Sequence, residues 1–398
     1  MSTLVERIQL FNASRIPEMV QLKYQFMSEN MFRFYRGTAH LFYEDLAKEA
    51  SFPSSPLTWI SGDLHLENFG TYKGDNRLVY FDLNDFDEAI LAPAAWELAR
   101  TITSILVASR SQHIEEEKAL RMAKLFLKTY SCTLRNEKAK YIESKTAKGI
   151  VCDFLKSVAS RRNKDILNKR TIKKKDKLII LLDDVRHLKI EKPLKKALTQ
   201  HLTEWLTNNS DSPYHFKVED AVFRIAGTGS VGVQRYAFLL KSSNTPGKYL
   251  LLDMKQAVPS SLKKFVPVPQ PAWTHEAERV ITIQKRMQNI SPALLSATVF
   301  NGHSFVIQEM QPVKDNFNFK FVKDRYRDMY QAIDDMAMLT ASAQLRSAGR
   351  QGSAIADELI SFGQDDNWQE KVLSYCVQQC DTIERNYTLF TKATGFHP

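Results

Sequence analysis

The sequence predicts an α+β fold in two lobes, a small antiparallel β lobe set against a larger, mainly helical one. Two observations predict the small lobe. Residues 218–254 concentrate β-branched and aromatic residues around glycine-rich turns, as short strands do. Two further strand-like runs, ATVF (297–300) and SFVIQEM (304–310), meet at Asn301-Gly302, a dipeptide that specifies a two-residue hairpin. A third observation is the helical periodicity on either side. It leaves a β-rich block, about 216–312, between helical blocks, and so implies two packed units with a cleft. The expected division is 1–215 for N-terminal helices and an aspartate-rich loop of the large lobe, 216–315 for the β lobe, and 316–398 for helices that complete the large lobe.

In chain order, residues 1–50 read as helical, with Leu41, Phe42, Leu46 and Ala50 at helical spacing. SFPSSP (51–56) breaks that pattern. LTWI (57–60) and RLVYFDL (77–83) read as strands flanking a loop with Gly62, Gly70 and Gly74. From Trp96 to about Thr207 helix follows helix with no strong strand signal. Residues 273–289 read as one helix, and from about 322 the chain is helical again.

A chain of 398 residues, 43% hydrophobic and 25% charged, is neither fibrous nor of low complexity. Its most apolar stretch, Ala89 to Ser109, is interrupted by Pro93, Glu97 and Arg100. It falls short of the roughly 20 apolar residues of a membrane span, so none is expected. Glu6 and Arg7 lie where a secretory signal would be apolar. Cys132, Cys152, Cys376 and Cys380 lack metal-type spacing and read as reduced thiols, which sets the expected compartment as cytoplasmic. The net charge of +10 favours anionic partners such as nucleotides, nucleic acid or membrane surfaces and does not choose among them.

Gly227-Thr228-Gly229-Ser230-Val231-Gly232 matches G-x-G-x-x-G. Alone it fits a plain hairpin turn equally well. Its context points further, because a strand-like run, VQRYAFLL, follows it. In a dinucleotide fold a helix would follow, whereas a glycine-rich loop between antiparallel strands covers ATP phosphates in protein kinases. Small residues there let backbone N–H groups approach phosphate oxygens. A kinase also needs a lysine on the third strand. Lys255 stands 23 residues after Gly232 in LLLDMKQA, and a lysine inside an apolar strand is costly unless paired. Its partner should be a glutamate on the next helix. Glu276 and Glu278 are both candidates, about 200° apart around that helix, and Glu278 is preferred. Glu309, Met310 and Gln311 would then form a hinge whose backbone meets the adenine edge.

A second constellation is Ser61-Gly62-Asp63-Leu64-His65-Leu66-Glu67-Asn68, followed by Phe81-Asp82-Leu83-Asn84-Asp85-Phe86-Asp87. Phosphoryl transfer requires a carboxylate beside the attacking hydroxyl and oxygen ligands for magnesium. Asp63 suits the first task. Asn68 and Asp82 suit the second, with Asp85 next in preference, since alternation puts Asp82 and Asn84 on one face and Asp85 on the other. A surface loop and a metal hydrolase using Asp63, His65 and Asp82 are the competing readings.

GDLHLENF with FDLND resembles the Gly-Asp-x-His-x-x-x-Asn loop and metal-binding aspartate of aminoglycoside-phosphotransferase-like kinases. That resemblance implies Asp63 as catalytic base and Asn68 and Asp82 as magnesium ligands. Over much of its length the chain is similar to a bacterial family known as domain of unknown function 2252. The matching segments are FRFYRGTA (32–39), SGDLHLENFGTY (61–72), VYFDLNDFDEA (79–89), APAAWELART (92–101), IAGTGSVGVQRY (225–236) and LLLDMKQA (250–257). The late helix departs from the pattern, reading Ala343-Gln344-Leu345-Arg346-Ser347 where Ala-His-Ala-Arg-Ser is usual. Because the catalytic-type loop precedes the glycine loop, the fold implied is a circularly permuted protein-kinase-like one, opened just before the catalytic loop. Its termini must then lie at exposed, neighbouring positions.

The function expected on this reading is ATP- and magnesium-dependent phosphoryl transfer to an unidentified acceptor. AMP transfer with ATP reversed, a regulatory nucleotide-binding role, and nucleic-acid binding are the rivals. The last would rest on Arg161, Arg162, Lys164, Lys169, Arg170, Lys173, Lys174, Lys175 and Lys177. That run lacks the interleaved aromatics of a stacking platform and reads as a solvated face. Arg36 is read as either a helix-end pairing residue or a phosphate contact.

Overall fold

The computed structural model describes residues 3–183, 185–208, 213, 215–322 and 324–396. Four helices open the chain: α1 (Leu4–Asn12), α2 (Pro17–Ser28), α3 (Met31–Gly37) and α4 (Ala39–Leu46). Pro17 at the first position of α2, and Asn30, whose side chain accepts the Arg33 N–H at 2.9 Å, start two of them. Then come β1 (Leu57–Ile60), β2 (Phe69–Lys73), β3 (Val79–Leu83), β4 (Ile90–Pro93), α5 (Ala94–Ser111), α6 (Glu116–Arg135), β5 (Ile142–Glu143) and α7 (Gly149–Ala159). Together with the C-terminal helices α11 (Tyr326–Ser347), α12 (Ala356–Gln364) and α13 (Asn367–Thr394), they share one continuous apolar core. Leu98, Ile102 and Ile105 of α5 are buried at its centre.

The intervening elements are α8 (Asn163–Arg170), β6 (Thr171–Lys174), β7 (Lys177–Ile180), β8 (His187–Leu188), α9 (Lys192–Asn208), β9 (Phe216–Arg224), β10 (Arg235–Ser242), β11 (Tyr249–Gln256), α10 (Glu276–Met287), β12 (Ser296–Phe300), β13 (His303–Glu309) and β14 (Asp315–Asn316). One antiparallel sheet runs β12-β13-β11-β10-β9-β8. Strand alternation gives it two faces. Tyr236, Phe238 and Leu240 pack under Leu198, Leu202 and Trp205 of α9, whereas Ala237, Leu239 and Leu251 pack under Ile180 and Ile166. Asn301 and Gly302 turn the β12–β13 hairpin with φ of 49° and 75°, the left-handed pair that such turns require.

The fold is therefore mixed α+β with small antiparallel sheets. Two expectations need correcting. The stretch 96–207 is not purely helical, since β5 to β8 lie within it. The β6–β7 hairpin carries four lysines among its strand and turn positions, and these mask the apolar alternation of Leu178 and Ile180. Moreover, residues 163–208 pack on the sheet of the β-rich block rather than in the helical core, because Ile166, Ile180, Leu198 and Trp205 find apolar partners there. Residues 209–212 and 214, in the same expected connection, lie outside the described residues.

The β-rich block is tied back to β2 by the segment after β13. Gln311 pairs its carboxamide with the Lys73 backbone, accepting at 2.6 Å and donating at 2.8 Å. Asp315 and Asn316 then pair with Thr71 and Gly70. These bonds fix the sheet over the loop that precedes β2.

Candidate active site

A cavity of about 90 Å³ lies between the loop after β1, the segment after β3, the turn between β9 and β10, and the end of β11. It brings together Asp63, Asn68, Asp85, Asp87, Lys255 and the 227–230 turn, from segments more than 130 residues apart in the chain.

The loop after β1 is held from beneath by α5. Glu97 is fully buried and accepts the Ser61 N–H at 2.5 Å and the Ser61 hydroxyl at 2.7 Å. Its other oxygen accepts from Gln344 at 3.1 Å, and Tyr130 donates to Gln344 at 2.5 Å. Thus Gln344 anchors the carboxylate under the loop. One turn along α5, fully buried Arg100 donates to Asp63 at 2.9 Å through Nε and lies 2.8 Å from it through Nη2. Its guanidinium stacks 3.5 Å over the Tyr35 ring. Burial raises the Asp63 carboxyl to about 6 against the opposing pull of Arg100. A fifth of the Asp63 side chain stays open to the cavity.

Asn68 donates its amide to the Asp63 carbonyl at 2.7 Å. Its side-chain oxygen is then the atom left to face a cation. His65 has the Arg36 Nε 3.1 Å from its Nε2 and the Glu67 backbone nitrogen 3.2 Å from its Nδ1, and the neutral ring accepts from one of the two. Burial and the neighbouring arginines keep it neutral, well below its usual range. Arg36 both lines the cavity and pairs with Glu67.

Gly62 has φ +86°, and a Cβ there would lie 2.2 Å from the Glu88 carbonyl oxygen. Gly62→Ala is expected to lower stability by at least about 1–2 kcal/mol from the left-handed backbone alone, with the clash adding to it. Denaturant unfolding measures the loss.

Asp82 does not line the cavity. It lies inside β3, fully buried, with an oxygen 3.4 Å from Arg346 and the other accepting the Leu83 N–H at 2.9 Å. Alternation did separate Asp82 from Asp85, but the cavity is on the Asp85 side. Asp85 and Asp87 both face it. Burial raises Asp85, yet the Lys255 ammonium, the Asp87 N–H and the Lys314 and Arg235 charges together outweigh it and leave that carboxyl below its ordinary value. Burial and the Asp85 charge raise Asp87 despite Lys255.

Lys255 forms its ion pair with Asp87, and neither helix glutamate reaches it. Glu276 binds Arg279 at 2.5 Å, and Glu278 accepts the Thr274 N–H at 2.6 Å. Helix α10 acts on the site instead through buried Arg279. It donates to the carbonyls of Ala89 at 2.5 Å and of Asp87 and Val258 at 2.9 Å. Arg279 thereby fixes the backbone that carries Asp87.

The glycine turn is held from outside by the N-terminal helices. Arg15 donates to the carbonyls of Gly229 at 2.8 Å and Val231 at 2.6 Å, and the Ile16 N–H bonds the Gly232 carbonyl at 3.0 Å. Fully buried Lys23 lies 3.3 Å from the Gly229 carbonyl. In a trans peptide the N–H points opposite its carbonyl, so the N–H groups of Ser230 and Gly232 point away from this clamp, while that of Val233 bonds the Ser230 carbonyl at 3.3 Å. Gly227 and Gly232 have φ of 78° and 94°, which favours glycine there.

In the expected hinge, the Met310 N–H already bonds the Leu251 carbonyl at 2.8 Å and the Gln311 side chain grips Lys73. Glu309, Met310 and Gln311 line a second cavity. Among the described residues no group of three or more His, Cys, Asp or Glu is poised to coordinate a metal. Magnesium is commonly held by one or two carboxylates plus substrate phosphates, and Asp85, Asp87 and Asn68 are oxygen-bearing side chains that line the first cavity.

Residues 15–393 match a family described as an uncharacterized protein conserved in bacteria (DUF2252). The chain belongs to the DUF2252 family. No curated protein and no solved structure matches it. The segments that carry the DUF2252 resemblance supply Arg36, Asp63, Asn68, Asp85, Asp87, Glu97, Arg100, Gly227, Gly229 and Lys255. No spacing rule points to Glu97, Arg100 or Arg279. The available signal was a pair of opposite charges one turn apart in an otherwise apolar helix, which burial makes costly unless each is paired.

Proposed function

We propose that this DUF2252 chain is an ATP- and magnesium-dependent phosphotransferase with a circularly permuted, protein-kinase-like arrangement. The observation that carries the proposal is the convergence of Asp63, Asn68, Asp85, Asp87, Lys255 and the glycine turn on one cavity.

Strand order supports it. The glycine turn joins the first two long strands of the sheet, the lysine stands on the third, α10 follows, and two more strands lead to the crossing segment. That succession is the kinase order. Asp85-Phe86 stands where the metal-binding D-F-G signature would begin. The permutation is supported by the chain after α11, where the Arg350 carbonyl accepts from Trp59 at 2.9 Å and the Ala354 N–H bonds the Leu57 carbonyl at 2.7 Å. The end of α11 therefore lies beside the strand that leads into the Asp63 loop, although the two are far apart in sequence.

In this reading Lys255 and the N–H groups of the turn hold phosphate oxygens, and Asn68, Asp85 and Asp87 hold magnesium. The metal's contribution is to offset the charge of the phosphates. Two carboxylates that crowd each other in one cavity suit a divalent cation. Asp63, oriented by Arg100, takes the proton of the acceptor hydroxyl.

The test is turnover of γ-labelled ATP as a function of pH. Asp63 acts as a base only when ionised. Turnover is therefore expected to rise with pH and reach half its maximum near 6, the raised Asp63 value. The stability term has the opposite sign. An acid bound more tightly to its proton in the native state stabilises most below its ordinary value of 3.8, and that contribution is lost as pH climbs through about 6. A flat profile from pH 5 to 8, or no turnover at any pH, contradicts the proposal.

A further inference from the structure

The second cavity, about 220 Å³, has no lining residue in common with the first but lies on the same face of the sheet. In the β10–β11 register Lys255 faces Arg235, and the next inward pair on that face is Ala237 with Asp253. In a kinase that inner region receives the adenine ring. Here its far end is already filled, because Leu251, Ala237, Val222 and Met310 are buried against Ile166 and Ile180.

What remains open is ionic. Six cations line it, Arg161, Lys169, Arg170, Arg224, Arg235 and Lys314, against three carboxylates, Asp165, Asp253 and Glu309. Asp253 is shared by Arg224 at 2.6 Å and Arg235 at 2.6 Å, and Arg161 pairs outward with Asp315 at 2.8 Å. Lys169, Arg170 and Lys314 have no carboxylate partner among the described residues. Crowding is felt inside the cluster as well, since burial and the neighbouring Arg235 push Arg224 down to about 10. Three residues of the basic run thus line this cavity, Arg161 and Arg170 half-buried and Lys169 at its exposed rim.

We infer that this cavity binds phosphate groups. An apolar base would leave the surplus cations unmatched, whereas phosphate oxygens accept bidentate and charge-assisted bonds from arginine and lysine. Two sources present that chemistry beside Lys255, the outer phosphates of the nucleotide itself or a separate phosphorylated ligand. If the nucleotide's own tail lies here, the inference rests on the proposed function and redirects its chemistry. The acceptor oxygen then attacks the α-phosphorus, the bond from that phosphorus to the bridging oxygen breaks, pyrophosphate leaves with the electron pair, and the hydroxyl proton passes to Asp63. The acceptor ends bearing AMP.

The experiment is calorimetric titration of pyrophosphate, with and without saturating Mg-ATP, into wild type, the triple variant K169Q/R170Q/K314Q, and K255M. The three cations of the triple variant are replaced without touching the buried Arg224–Asp253–Arg235 cluster, and circular dichroism verifies its fold. Pyrophosphate is expected to bind wild type and to bind the triple variant at least about tenfold more weakly. Competition with Mg-ATP, with both ligands lost in the triple variant, supports the cavity and identifies the nucleotide as the source. Simultaneous binding, with Mg-ATP affinity kept in the triple variant and lost in K255M, supports the cavity and identifies a second ligand. Pyrophosphate binding without any ATP binding supports the cavity while defeating the proposed function. No pyrophosphate binding to wild type, or equal binding to the triple variant, overturns the inference.

Discussion

Asp85→Asn is expected to lower ATP turnover by about 100-fold or more and to cost some stability at neutral pH. Against burial, Lys255, Lys314 and Arg235 hold the Asp85 carboxyl below its ordinary value, so its charge contributes stability that is present above that value and lost as pH falls. Relief of Asp87, whose carboxyl the Asp85 charge raises, offsets part of the loss. Asparagine keeps the shape and can still accept the Asp87 N–H, 3.3 Å away. Urea unfolding and turnover measured on the same preparation separate the catalytic loss from the structural one. A stability loss without an activity loss would assign Asp85 a structural role.

Arg100→Met should give the largest loss of stability, about 3–5 kcal/mol, because it leaves an ionised carboxylate buried without its partner. Arg100 is fully buried, bonded to Asp63 and stacked on Tyr35, and it donates to the Tyr35 carbonyl at 2.9 Å. With the guanidinium gone, burial and the Glu88 and Asp85 charges act unopposed on Asp63 and raise it further, so turnover near neutral pH falls too. The double variant Asp63→Leu/Arg100→Met removes both charges and should recover most of the stability, since apolar replacement of a buried pair is often nearly neutral. It should recover no activity. Equal stability of the single and double variants would show that packing, not charge pairing, dominates at Arg100.

These residues also mark where the sequence was legible and where it was not. The β12–β13 hairpin is written in Asn301-Gly302, whose backbone only a few residue types adopt. The 227–232 turn and the 61–68 loop are equally local, because a motif reports residues that are neighbours in the chain. The choice between Asp82 and Asp85 was not local. Alternation divides two faces of β3, but which face meets a cavity depends on Arg346, 264 residues away. The partner of Lys255 is likewise remote, at Asp87 rather than on the helix that follows. Glu97 and Arg100 read as interruptions of an apolar stretch. Their buried partners, Ser61 and Asp63, become visible only when α5 packs beneath the loop. The lysines of β6 and β7 hid a hairpin whose apolar positions close one end of the sheet.

Magnesium-dependent ATP binding, read as a thermal shift in wild type, Lys255→Met and Asp85→Asn, tests most directly whether the 61–87 and 227–255 segments grip one nucleotide–metal complex. ATP with magnesium should raise the wild-type melting temperature more than ATP alone, Lys255→Met should shrink the rise, and Asp85→Asn should abolish its dependence on magnesium. No shift with any nucleotide, or a shift indifferent to both substitutions, would contradict it.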